Sequence, residues 1–110
     1  MIEDTLAKIE SAIRKIEAAD KGKKAELLRL LGELKREMRS LEGSADEGAG
    51  SVAGFADAAA YEATRRAPSP ALTRLALDAL AASAKDFETS HPALTRVVNE
   101  ICRELASLGI

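Results

Sequence analysis

The chain offers few residues whose type and spacing could carry chemistry: one histidine, His91, one cysteine, Cys102, one tyrosine, Tyr61, and a glycine-rich run from Asp46 to Ser51. His91 stands in Ser90-His91-Pro92, a helix-start pattern in which an imidazole packs on the turn or hydrogen-bonds it. A zinc site needs about three further nitrogen or sulfur ligands, and the chain has neither a second histidine nor a cysteine pair. No acid-rich loop has the ligand spacing of a calcium site. Cys102, beside Ile101 and Leu105, reads as a small buried hydrophobe. Its neighbour Arg103 points about 100° away around a helix, so it does not activate the thiol. Nucleophilic catalysis would require Cys102 within hydrogen-bond reach of His91, yet about three helical turns separate them. Asp46-Glu47-Gly48-Ala49-Gly50-Ser51 lacks the Lys-Ser/Thr pair and the preceding strand of a phosphate loop. The expectation is a protein without catalytic, cofactor or metal residues, and not an enzyme.

Composition narrows the classes further. With 110 residues, a single domain is expected. Apolar residues make up 46% but aromatic ones only 3%, so each helix brings a thin core and association is a natural way to bury more surface. The net charge is −2, with acids and bases interspersed. Nucleic acid is not an expected partner, because there is no basic stripe and no aromatic platform for stacking bases. No apolar run reaches the length of a membrane span or a secretory leader. A lone cysteine forms no internal disulfide, and a cytoplasmic location is the simplest expectation.

The elements that would position any site are helices throughout. Ile2, Leu6, Ile9, Ile13 and Ile16 alternate four and three residues apart, a narrow stripe on one helix face. Gly22 is the expected break. Leu27, Leu31, Leu34, Met38 and Leu41 repeat the stripe, and the two predict an antiparallel helical hairpin, coiled-coil-like, over residues 1–42. Residues 43–50, with three glycines and no periodic apolar residue, read as a linker. Ser51 is then the expected cap of a helix burying Val52, Phe55, Ala56, Ala59 and Ala63, with Tyr61 on the opposite face. Pro68 ends that helix, and Ser69-Pro70 starts the next, which carries Leu72, Leu75, Ala76, Ala79, Leu80, Ser83 and Phe87 to about Thr89. The last helix, to Leu108, bears Leu94, Val98, Ile101, Leu105 and Leu108, widened by Val97 and Cys102. Pro70-Ala-Leu-Thr-Arg74 recurs as Pro92-Ala-Leu-Thr-Arg96, one helix-start solution used twice. The fold class expected is all-α: a helical bundle of the N-terminal hairpin plus three further helices in residues 51–110.

Met1-Ile2-Glu3-Asp4-Thr5-Leu6, Ser51-Val52-Ala53-Gly54-Phe55-Ala56, Asp86-Phe87-Glu88 with Ser90-His91-Pro92, and the closing run from Val98 to Ile110 carry a resemblance. The chain is similar to a family of short bacterial proteins classed only as a domain of unknown function. That resemblance implies a bacterial, helical, stand-alone protein and brings no activity or site residues with it.

Function therefore rests on surfaces. The unbroken stripes lead to a helical self-assembly or interaction module, in which two hairpins form an intermolecular four-helix bundle, a homodimer or higher homo-oligomer. Leu6, Ile9, Ile13, Leu31, Leu34, Met38 and Tyr61 are the candidate interface. The alternative is a monomeric adaptor or regulatory subunit whose hairpin groove or Tyr61 face receives a partner's helix.

Overall fold

The structure, a computed structural model, describes residues 2–15, 21–39, 41 and 46–108. Five helices follow in order: α1 (Ile2–Arg14), α2 (Lys21–Arg39), α3 (Asp46–Thr64), α4 (Pro70–Lys85) and α5 (Pro92–Ala106). No strand occurs among the described residues, and the fold is all-α. In α1, α2 and α5 the stripes identify which face turns inward. Leu6, Ile9 and Ile13 of α1, Leu27, Leu31, Leu34 and Met38 of α2, and Leu94, Val98, Ile101 and Leu105 of α5 are all buried in one continuous apolar cluster. Ile16 lies outside the described residues.

Contacts between helices close a circuit. α1 packs on α2, α2 on α5, α5 on α4, α4 on α3, and α3 returns to α1, with α3 also touching α5 across the middle. The alanines of α3 make this possible. Ala53, Ala56, Ala59, Ala60 and Ala63 are all buried, and side chains this small let α3 approach its neighbours closely. Specific hydrogen bonds then fix the register of α4 against α5. The Thr95 hydroxyl donates to the Ala84 carbonyl at 3.0 Å, and Cys102 Sγ lies 3.7 Å from the Leu77 carbonyl, so the two helices run antiparallel. At the far end of α5, Lys23 Nζ donates to the Ser107 carbonyl at 2.8 Å. A cation there satisfies a terminal carbonyl and complements the helix dipole.

Three boundaries differ from the expectation. Gly22 lies in the first turn of α2 rather than closing α1, and residues 16–20 lie outside the described set. The linker expected over 43–50 is helical from Asp46, so Ser51 sits inside α3 and caps nothing. The reason is tertiary: Ala49 is buried, and Gly48 lies so close to Phe87 that a β-carbon there would come within 2.9 Å of the ring. Docking of that first turn offsets the intrinsic helix cost of its glycines. α4 stops at Lys85, short of Thr89, because the Phe87 and Glu88 amides fall back to carbonyls three residues earlier and tighten the chain into turns. The Ser69-Pro70 start is as expected, with the Ser69 hydroxyl accepting from the Leu72 amide at 3.3 Å.

Candidate interaction site

Six of the seven candidate interface residues are inside the chain's own core. Leu6, Ile9, Ile13, Leu31, Leu34 and Met38 are buried, because the stripes of α1 and α2 face α3 and α5 as well as each other. They are therefore not a free surface waiting for a second hairpin. Tyr61 is the exception at 62% exposed.

Tyr61 stands at the lip of an open groove of about 610 Å³ between α1 and α3. Ala7, Ser11 and Ala12 line it from α1, and Thr64 lines it from α3. The Thr64 hydroxyl turns back to donate to the Ala60 carbonyl at 2.6 Å. Small side chains along one wall and a large amphipathic ring on the other make a shape that accepts a side chain or a helix ridge. Lys8, Lys15 and Arg65 rim the groove against a single acid, Asp4. Lys8 faces Asp57 at 3.6 Å near solvent and is not fully neutralised, whereas Arg65 makes a half-buried pair with Glu62 at 2.8 Å, which leaves Lys8 and Lys15 as the cations of the rim. At the other side of α1, Lys35 of α2 binds Glu10 at 2.9 Å; that hydrogen bond and the lysine's charge hold the Glu10 carboxyl below its ordinary range.

The chemistry-bearing residues are placed apart. His91 occupies the cap position of α5 without a side-chain capping bond; its ring meets Phe87 edge-on, with centroids 5.9 Å apart, and Nδ1 is 3.1 Å from Ser90 Oγ. Cys102 lies further along α5, roughly 16 Å away at 1.5 Å per residue. Burial, with Asp78 adding a smaller push, raises its thiol to about 11. Such a thiol is almost wholly protonated at neutral pH and is a poor nucleophile. Among the described residues no group of three or more His, Cys, Asp or Glu is placed to hold a metal ion, and no helix is long and apolar enough to cross a membrane.

The sequence profile described as Domain of unknown function (DUF4404) matches residues 2–110. The chain belongs to this family. Comparison with curated proteins and with solved structures finds no match.

In this DUF4404 chain the surface residues missed by periodicity are Phe55, Leu72 and Leu75, all exposed although each was expected on a packed face. α4 is rotated relative to the expectation: its inward residues are Thr73, Leu80 and Ala84, followed by Phe87 beyond the helix end. Spacings of seven, four and three from Thr73 were a signal for that face, hidden because threonine is polar. Thr73 is 2% exposed, and its hydroxyl oxygen has no hydrogen-bond partner.

Proposed function

We propose that this DUF4404 protein is a non-enzymatic helical interaction module of a bacterial cytoplasm, and that its α1/α3 groove receives an acidic amphipathic helix of a protein partner. The observation that carries this reading is Tyr61, a large ring left 62% exposed beside a small-residue wall with a cationic rim. Exposed aromatic anchors next to shallow pockets are the usual centres of binding energy. The cations favour an acidic ligand by complementarity. Burial of the other six candidates within one chain supports the adaptor over the intermolecular bundle. Self-assembly, the first expectation from the stripes, becomes the second reading here, through Phe55, Leu72 and Leu75 on α3 and α4.

The test places a photo-crosslinking amino acid at position 61 of the full chain, in cells, with Ala12→Arg as the blocked-groove control. The expected result is one stoichiometric heterologous protein, lost with Ala12→Arg. Crosslinks only between copies of the chain would replace the adaptor with self-assembly.

A further inference from the structure

The pentapeptide Pro-Ala-Leu-Thr-Arg starts both α4 and α5, and its two copies are served differently. In α5, Thr95 donates to Ala84 and Arg96 pairs with Glu100 at 3.3 Å. In α4, Thr73 is buried without a hydrogen-bond partner, and Arg74 has no ion pair among the described residues. Both Thr73 and Arg74 line an open groove of about 700 Å³ between α4 and α5. That volume is in the range of small-molecule sites.

The antiparallel register orders the groove. Leu77 lies opposite Cys102 and Ala84 opposite Thr95, so Thr73 and Arg74 fall level with the end of α5, near Arg103 and Ala106. One end therefore gathers a buried hydroxyl and two exposed guanidinium groups. Away from it, Leu77, Ala81 and Cys102 supply apolar wall for about 6 Å, the rise from Leu77 to Ala81. Asp78 stands on the rim one turn beyond Arg74 and level with Ile101, between the head and the apolar wall, and Asn99 stands further along. We infer that the α4/α5 groove binds a small aliphatic carboxylate, its head at Thr73, Arg74 and Arg103 and its chain along Leu77, Ala81 and Cys102. On binding, the Thr73 hydroxyl, closed off from solvent in the free protein, turns about χ1 toward the groove and donates to the carboxylate, which satisfies a group the protein alone leaves unpaired. This site is separate from the α1/α3 groove and does not depend on the reading of that groove.

The experiment titrates the ¹⁵N-labelled full chain with decanoate, with acetate as head alone and decan-1-ol as chain alone. Saturable amide shifts confined to α4 and α5 are expected with decanoate, and far weaker ones with either control. Thr73→Val keeps the side-chain volume and Arg103→Ala alters only an exposed position; each should weaken decanoate about tenfold, as loss of a hydrogen bond to a charged group does. Thr73→Val should melt no lower than the parent, which separates lost binding from lost folding. Non-saturable shifts, shifts centred on Phe55, Leu72 and Leu75, equal binding of the alcohol, or undiminished affinity in both variants would each overturn the assignment.

Discussion

Replacing Leu34 by alanine tests whether the α1 and α2 stripes are satisfied within one chain. Leu34 is 0% exposed, and the residual gap it shares with Ile9, Ile13, Leu27, Leu31, Ala56, Ala60, Ile101 and Leu105 is only about 10 Å³, barely the size of one water. Walls contributed by four helices have little freedom to collapse onto the lost methyl groups. The cost then falls in the middle of the range for buried leucines, about 3 to 4 kcal/mol. With an unfolding entropy near 2.1 cal/mol/K per residue, a chain of 110 residues loses about 0.23 kcal/mol per degree at its midpoint. The expected fall in Tm is therefore roughly 13 to 17 °C. Glu100→Ala, which removes an exposed pair with Arg96, should move Tm by no more than about 2 °C. Circular dichroism melts of both variants and the parent, each at two concentrations tenfold apart, decide the matter. If folding required a second copy at this core, tenfold dilution would remove about 1.4 kcal/mol per mole of dimer, whose unfolding entropy is twice that of one chain, and lower every Tm by some 3 °C. Concentration-independent melting is expected. A parent whose Tm falls on dilution, or a Leu34→Ala variant melting like the parent, refutes the intramolecular core.

Two glycines and the cysteine give sharper local tests. A β-carbon at Gly32 meets nothing within 4 Å, so Gly32→Ala should raise Tm by about 2 to 4 °C, the helix propensity gain of 0.5 to 1 kcal/mol. Gly48→Ala should show no such gain, because its β-carbon must displace the buried Phe87 ring; equal stabilisation in the two variants would contradict that packing. With its thiol near 11 rather than 9.0, Cys102 should react with iodoacetamide at pH 8 roughly a hundredfold more slowly than an unfolded thiol, and at full rate in denaturant. The sign for stability follows from the same shift: the unfolded chain releases the proton from about pH 9 and the folded one only near 11, so stability should decline between those values. Denaturant melts across that window should show the decline in the parent and its loss in Cys102→Ala.

Helix faces were legible in the sequence wherever strongly apolar residues recur, as in α1, α2 and α5, because periodicity reports which side of a helix leaves water. Periodicity does not say what covers that side. The partners of Leu34 come from α1, α3 and α5, and nothing local distinguishes them from a second hairpin. The cap at Ser69 was readable because it is a contact within one turn. The start of α3 was not, since its glycines argue for a loop and only the distant ring of Phe87 makes Gly48 useful. In α4 the face was misjudged because Thr73, a polar residue, is the one that turns inward while Leu72 and Leu75 stay in solvent. Of the candidate interface, Tyr61 alone was readable as exposed, from its place opposite an apolar stripe.

The circuit of helix contacts has a consequence for how the protein is made. α2 and α5 seal each other, and Lys23 meets Ser107 across 84 residues of sequence. A ribosome adding 5 to 20 residues per second takes about 4 to 17 s to synthesise that interval. Through those seconds Leu27, Leu31 and Leu34 have been translated while the face that covers them does not yet exist. Nascent chains on crowded polysomes would thus display the same leucine ridge side by side, and a holdase that shields it until Leu105 emerges would raise the yield of folded protein without altering its final stability.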